Sequence, residues 1–375
     1  MTGDVRPPLV APGGPLTEAE HRRYARHLVL PEVGGTGQRR LKAARVLLVG
    51  AGGLGSPSLQ YLAAAGVGTI GLVDDDVVEE SNLQRQVIHT GADVGRSKVD
   101  SAADAVRRAN PLVRVERHRE RLHTGNAVGL VEQYDLVLDG SDNFPTRYLV
   151  NDACVLTGIP WVWAAVLRSQ GQASTFWGGH GPQYRDLFPE PPAPGSVPDC
   201  NDAGVLGAVC GLFGSIMAAE AVKLITGTGQ SLLGRVLTLD VQTWSWRTFR
   251  LIPDATRAPI TRLAPPTLPM ITAGDLAGRL RARAAGDDDF LLIDVREPAE
   301  HDRFAIPGAL LVPLADLERA DLPRDVPLIL YCAAGQRSAR AIQVLRRQKY
   351  SLLHHLDGGI RAWTASVASA DGVER

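Results

Sequence analysis

The segment from Arg45 to Gly55 constrains this chain more than any other. An apolar run, Arg45 to Val49, leads directly into Gly50-Ala51-Gly52-Gly53-Leu54-Gly55, and a helical pattern follows from Ser56 to Ala65. Strand, glycine turn and helix in that order form the first half of a parallel crossover, because residues without a Cβ let the three pack closely. The pattern continues downstream. A second apolar strand, Thr69 to Val73, ends at Asp74, a helix is expected over Ser97 to Ala109, and a further strand, Asp135 to Leu138, ends at Asp139. Such alternation predicts a mostly parallel sheet covered by helices on both faces.

At 375 residues the chain is long enough for about two domains. Two proline-dense stretches mark its punctuation: six prolines fall between Pro182 and Pro198, and five between Ile252 and Pro269. Neither can be a helix or a central strand. The first reads as a surface loop and the second as a linker. The expected layout is a disordered tail over 1–15, a Rossmann-like α/β domain over 16–252, a linker over 253–270 and a smaller α/β domain over 271–375. Thr17 and Glu20 form a capping-box pattern that opens a helix to about Leu30. In the smaller domain, strands are expected over Phe290 to Val295 and Leu328 to Cys332, and a helix over Ser338 to Arg347.

A formal net charge of −1 gives no general attraction to nucleic acid or anionic membranes. The six arginines between Arg107 and Arg121 alternate with Val113, Val115 and acids, as on a solvated strand. The uncharged stretch Ala203 to Ala219 falls short of the ~20 residues of a membrane span and reads as a buried helix. Met1 to Pro15 lacks the apolar centre of a signal peptide. The four cysteines, Cys154, Cys200, Cys210 and Cys332, are scattered without a close pair, so a reducing, cytoplasmic setting is expected.

The glycine turn suits phosphate: small residues admit it and the helix start offers free N–H groups. Gly50, Gly52, Gly53 and Gly55 supply that surface, and Asp74, 21 residues past Gly53, is placed to accept from ribose hydroxyls. Alone, this pattern also fits a nicotinamide-dependent oxidoreductase. The residues beyond it favour a triphosphate. Asp74 and Asp76 run on to Ser81, Asn82, Arg85 and Gln86, and Lys98 follows. Arg85 and Lys98 can offset phosphate charge while Asn82 and Gln86 offer neutral donors. Asp142 and Asn143 follow the third strand, and a carboxylate there beside phosphates suggests Mg²⁺.

Arg23-Tyr24-Ala25-Arg26-His27, Gly50 to Gly55, Tyr61 to Gly68, Ser81 to Gln86 and Asp139 to Asn143 together resemble the MoeB/ThiF family over about residues 16 to 250. These are bacterial relatives of ubiquitin-activating enzymes. The resemblance implies an ATP- and Mg²⁺-dependent adenylyltransferase acting on the C-terminal glycine of a ubiquitin-like sulfur carrier that ends in Gly-Gly. It implies a homodimer in which Arg26 reaches the ATP of the other subunit. It also assigns Gly53, Asp74, Ser81, Asn82, Arg85, Lys98, Asp142 and Asn143 to the nucleotide site. Cys200-Asn201-Asp202-Ala203-Gly204 resembles the segment that carries the family's conditional active cysteine, so Cys200 is a candidate for a thioester or acyl disulfide. Many relatives carry zinc on two C-x-x-C pairs. Here the corresponding stretches read Gln183-Tyr184-Arg185-Asp186 and Asp254-Ala255-Thr256-Arg257, without a thiol, and no structural zinc is expected.

Cys332 ends a short apolar strand and is followed by Ala333-Ala334-Gly335-Gln336-Arg337-Ser338 and a helix. Backbone N–H groups and the helix start favour thiolate there, and Arg337 adds a cation able to hold an anionic donor. Asp294 to Glu297, Ile306 to Ala309, the Cys332 loop and Asp357 to Trp363 together resemble a rhodanese domain over about residues 271 to 365. That resemblance implies a persulfide on Cys332, charged from a persulfide or thiosulfate donor. Relatives usually have Gly-His before Ile-Pro-Gly, where this chain has Phe304-Ala305. The loop from Cys332 to Arg337 is one residue shorter than that of a cysteine phosphatase, which suits sulfur better than phosphate. The two halves together imply adenylation followed by sulfur transfer to give a thiocarboxylate. The carrier is expected to be of the molybdopterin-synthase small-subunit type, with thiamine-type and tRNA-thiolation carriers as alternatives.

Overall fold

The computed structural model describes residues 7–192, 204–263 and 270–370, with side chains to 364, and these fall into two compact units that divide after Leu263. The first unit is built on an eight-stranded sheet: β1 (Arg45–Val49), β2 (Thr69–Val73), β3 (Arg114–His118), β4 (Leu136–Asp139), β5 (Trp161–Leu167), β6 (Gln170–Phe176), β7 (Arg235–Asp240) and β8 (Ser245–Arg250). Their order is β3-β2-β1-β4-β5-β6-β7-β8. The strands from β3 to β5 are parallel, and β6 to β8 continue the sheet antiparallel.

β1 reads as an unbroken apolar run because both its faces are covered. Val46 and Leu48 join a core with Leu59, Leu62 and Val99, whereas Leu47 and Val49 join the opposite core with Tyr148, Trp161 and Trp163. In register, Val49 lies beside Val73 on one side and Asp139 on the other. The residues that follow all three strands therefore emerge at one edge. Chain order reverses between β1 and β4, the switch point at which open α/β sheets bind ligands.

The apolar helix Gly207–Thr226 is long and apolar enough to cross a membrane, yet 56% of its most apolar window is buried within the unit. It rests on the helix Gly55–Ala65: Ser58 Oγ donates to Gly214 O at 2.9 Å, and a Cβ at Gly214 would come within 2.3 Å of Pro57. Within the arginine-rich stretch, Arg114–His118 is a strand with Arg114 and Arg117 exposed and Arg117 paired to Asp100 and Asp104, whereas Arg107 and Arg108 lie on the helix Lys98–Ala109.

Three expectations need correction. Residues 7–15 are packed rather than a loose tail: Leu9 N donates to Leu224 O, Val10 lies in the core, and Gly13 O accepts from Arg39. Leu9 and Val10 give this proline- and glycine-rich segment something to bury. The proposed linker likewise begins inside the first unit, where Arg257 pairs with Asp186 and Leu263 packs against the core. The predicted first helix is two, Glu18–Arg23 with the Thr17–Glu20 capping box and Ala25–Leu28, broken at buried Tyr24.

The second unit is a wholly parallel five-stranded sheet. Its strands β9 (Met270–Ile271), β10 (Leu291–Asp294), β11 (Leu310–Leu311), β12 (Leu328–Tyr331) and β13 (Leu353–Leu356) lie in the order β11-β10-β12-β13-β9. Asp294 is level with Tyr331, so the loops after β10 and β12 leave the sheet side by side.

Candidate active sites

The glycine turn is shaped by backbone contact. Gly50 adopts φ +85°, and a Cβ on Gly55 would fall 2.0 Å from Gly50 O. Gly140, after β4, packs against both. Asp74 braces the turn from β2: its carboxylate accepts from Ala51 N and from Asp76 N, each at 2.8 Å. Loss of hydration pushes this carboxyl up to about 6, with Lys98 opposing the rise and Asp76 adding to it.

Lys98, the first residue of the helix Lys98–Ala109, is buried and donates to Asp76 Oδ2 at 2.7 Å. Burial works against its charge, but Asp74, Asp76 and Asp142 outweigh that and raise its pKa. Arg85 lies across Gly53, its Cγ 3.4 Å from where a Cβ would stand, and its Nη1 donates to Ser81 O. Gln86 lies by Gly52, buried, and its Oε1 has no partner among the described residues. Asn82 is buried as well, while Ser81 is exposed. Asp142 is exposed, within electrostatic range of both Lys98 and Asp139. Asn143 Oδ1 accepts from Thr146 N and caps the helix Phe144–Thr157. Arg26, on Ala25–Leu28, is exposed and makes no ion pair among the described residues. Cys200 lies outside the described residues, whereas Cys154 and Cys210 are buried thiols.

Sequence reasoning missed His89 and Arg147. His89 Nε2 lies 3.1 Å from Ala51 O and Nδ1 2.8 Å from Ser101 Oγ. A carbonyl only accepts, so Nε2 carries the proton, and burial, which lowers the pKa, keeps the ring neutral. The ring thus pins the glycine turn from beneath. Arg147 is buried and donates to Ser141 O at 3.4 Å, bracing the loop that carries Asp142. Only its spacing from Asp142, on one side of a helix start, could have signalled this.

At the edge where zinc was not expected, ion pairs join the two thiol-free segments. Arg257 Nε lies 3.2 Å from Asp186 Oδ1, and its Nη2 donates to Arg185 O at 2.6 Å. Arg185 in turn makes a bidentate pair with Asp152 at 2.8 and 2.7 Å. The two guanidinium groups of this set only donate and offer no lone pair to a metal.

In the second unit Cys332 is buried at the end of β12, with the helix Gln336–Arg347 ahead of it. Its Sγ accepts from Gly335 N at 3.1 Å and lies 3.7 Å from Ser338 Oγ. Gly335 has φ +95°, which turns its N–H back onto the sulfur. Gly359 is equally constrained, because a Cβ there would meet Cys332 O at 2.3 Å. Arg337 departs from expectation. Its guanidinium is not free but forms a fork with Glu300, at 2.6 and 2.7 Å. Beside it, buried Asp294 holds Arg296 and accepts from His301.

A glycine turn at the sheet's switch point on one unit and a thiol cradle on the other define a class, an adenylyltransferase joined to a sulfurtransferase. The chain belongs to the ThiF family, whose model matches residues 24–259, and it carries a rhodanese-like domain matched over residues 276–366. It is 51% identical over 380 residues to the probable adenylyltransferase/sulfurtransferase MoeZ of Mycobacterium tuberculosis, covering 96% of this chain and 97% of that protein. It is 42% identical to the adenylyltransferase and sulfurtransferase MOCS3 of Bos taurus, with 95% and 88% covered. Among solved structures, E. coli MccB crystallised with ATP matches with a TM-score of 0.56 at 21% identity, over 65% of this chain and 75% of that one, which establishes a shared fold.

Proposed function

We propose that this chain uses ATP to adenylate the C-terminal glycine of a small ubiquitin-like sulfur carrier, and then converts that terminus into a thiocarboxylate with sulfur from Cys332. The observation that carries the reading is the convergence of the glycine turn, Asp74, Lys98 and Asp142 at one sheet edge of a ThiF-family fold. The carrier carboxylate attacks the α-phosphorus and pyrophosphate leaves, a displacement that needs positioning and charge more than a covalent enzyme group. Lys98 exchanges Asp76 for phosphate, Arg85 closes from the other side, and Asp74 receives the ribose. Gly50, Gly52, Gly53 and Gly55 border the phosphates, with Asn82 and Gln86 beneath the surface and Ser81 and Asn143 nearer the solvent. Asp142 suits Mg²⁺, being an exposed carboxylate with no side-chain partner among the described residues; the ion would neutralise phosphate charge. In a homodimer, Arg26 reaches the nucleotide of the other subunit.

The terminal sulfur of a Cys332 persulfide then attacks the acyl carbon, AMP leaves, and an acyl disulfide links carrier and enzyme. The Cys200 thiolate attacks Cys332 Sγ, forming a Cys200–Cys332 disulfide and expelling the thiocarboxylate. A thiol reductant of the cytoplasm supplies the two electrons that reset the pair. The Asp186–Arg257 clasp, rather than zinc, holds the edge of the first unit, so chelators leave its stability unchanged.

Pyrophosphate exchange with a panel of Gly-Gly-ended carriers tests the reading. The panel includes carriers of the molybdopterin, thiamine and tRNA-thiolation types, and exchange is expected with at least one, the molybdopterin type first. No exchange and no ATP binding would end the proposal, and binding of NAD in place of ATP would point to an oxidoreductase.

A further inference from the structure

We infer that Glu300 sets donor specificity at the sulfur site: by occupying the fork of Arg337 it closes the Cys332 loop to thiosulfate and leaves it open to thiol persulfides. The inference rests on the reading of Cys332 as the sulfur carrier and names the class of molecule that charges it.

Arg337 is the cation that the loop itself supplies beside the thiol. Both its terminal nitrogens are taken by the two oxygens of Glu300, at 2.6 and 2.7 Å. A guanidinium offers its bidentate edge to one planar anion at a time. Glu300 is itself fixed. It occupies the third position of the helix Pro298–Arg303, and its Oε2 also accepts from Glu297 N at 3.1 Å, so backbone and arginine hold the same carboxylate. Arg337 in turn draws the Glu300 carboxyl below its ordinary range, so the pair stays charged at neutral pH. Glu297 adds a second carboxylate within electrostatic range of Arg337. The neighbouring cation gives no relief, because Arg296 is committed to Asp294 and Phe304 O.

Two ways of charging Cys332 place opposite demands on this mouth. With thiosulfate, the Cys332 thiolate attacks the outer sulfur, the S–S bond breaks, and sulfite departs as a dianion. That leaving group needs a free cation, and here it meets Glu300. With a thiol persulfide, the thiolate takes the terminal sulfur of R–S–S⁻, the S–S bond breaks, and a proton from solvent converts the departing thiolate to R–SH. No dianion forms, and Arg337 is not required to leave its partner. Gly335 N and Ser338 Oγ, which already face Sγ, remain to support the persulfide formed.

The test compares kcat/KM for Cys332 persulfide formation from thiosulfate and from glutathione persulfide, read by mass spectrometry on the full chain. Wild type is expected to favour the persulfide. Glu300→Gln keeps an acceptor for Glu297 N but removes the charge, and should raise the thiosulfate-to-persulfide ratio about tenfold or more, the scale of one charge-assisted pair. Adding Arg337→Gln should abolish that gain, because the freed guanidinium is its cause. An unchanged ratio in Glu300→Gln overturns the inference, as does a gain that survives without Arg337 and so uses another cation, such as Arg361. Equal wild-type charging from both donors overturns it too. If neither donor puts sulfur on Cys332, the sulfur-carrier reading fails instead, a distinct result.

Discussion

The two sites handle charge in opposite ways. In the first unit the reactive surface is open and electrically busy: Lys98 rests on Asp76, whose side chain is 44% exposed, and Asp142 stands in solvent. In the second, the proposed sulfur carrier is a buried thiol with Gly335 N at 3.1 Å and Ser338 Oγ at 3.7 Å, and the Arg337–Glu300 pair lies beside its loop. The difference follows from what each must stabilise. A polyphosphate arrives with several negative charges and must find cations that can change partners; a sulfane sulfur is small and polarisable, and needs enclosure from water more than it needs charge.

Asp142→Ala would break the comparison most severely. It is expected to remove carrier-dependent pyrophosphate exchange by about 1,000-fold or more, in the range for loss of a transition-state electrostatic group. Persulfide formation on Cys332 should continue, and parallel loss of both activities would mean the sites are not separate devices.

Next in size is stability. Arg257→Met would leave the Asp186 carboxylate, whose side chain is 4% exposed, without its cation. The expected cost is about 3 kcal/mol, read as a lower melting temperature for the first unit, with the second unit unaffected. A wild-type protein that loses stability on chelation would instead show that a metal holds this edge.

Asp74 sharpens the contrast through pH. Its folded-state pKa, about 6, lies above the ordinary 3.8. The native state therefore binds this proton before the unfolded chain does, so Asp74 ionisation costs stability above about pH 6 and the penalty fades towards about pH 4. Binding runs the other way, because a protonated carboxyl is a poorer acceptor for ribose hydroxyls. KM for ATP is expected to rise as pH falls through about 6, and Asp74→Asn should flatten that profile while raising KM throughout.

The smallest effect belongs to Ser338, which lies 3.7 Å from Sγ. Ser338→Ala should slow persulfide formation about fivefold, the scale of one net hydrogen bond, with pyrophosphate exchange unchanged.

What could be read from sequence was local. The glycine turn, the aspartate after the second strand and the cysteine loop each lie within a few residues of the strand that presents them, so periodicity and spacing disclosed both units. The features that escaped join distant positions. His89 reaches back to Ala51, Asp186 meets Arg257 across 71 residues, and Glu300 meets Arg337 across 37. No local pattern encodes such pairs. The antiparallel extension β6 to β8 was missed for a related reason: β8 is exposed throughout and lacks the apolar alternation of a strand with one buried face. Asn143 adds a local contact of its own, since its side-chain oxygen caps the helix Phe144–Thr157.

The central claim is that one chain activates a carboxylate at its first site and thiolates it from its second. Mass spectrometry of a Gly-Gly-ended carrier, incubated with ATP, Mg²⁺, a persulfide donor and either wild type or Cys332→Ser, tests this most directly. Wild type should replace one terminal oxygen with sulfur, and the variant should stop at the adenylate while still exchanging pyrophosphate. Thiocarboxylate formed by Cys332→Ser at the wild-type rate would contradict the account.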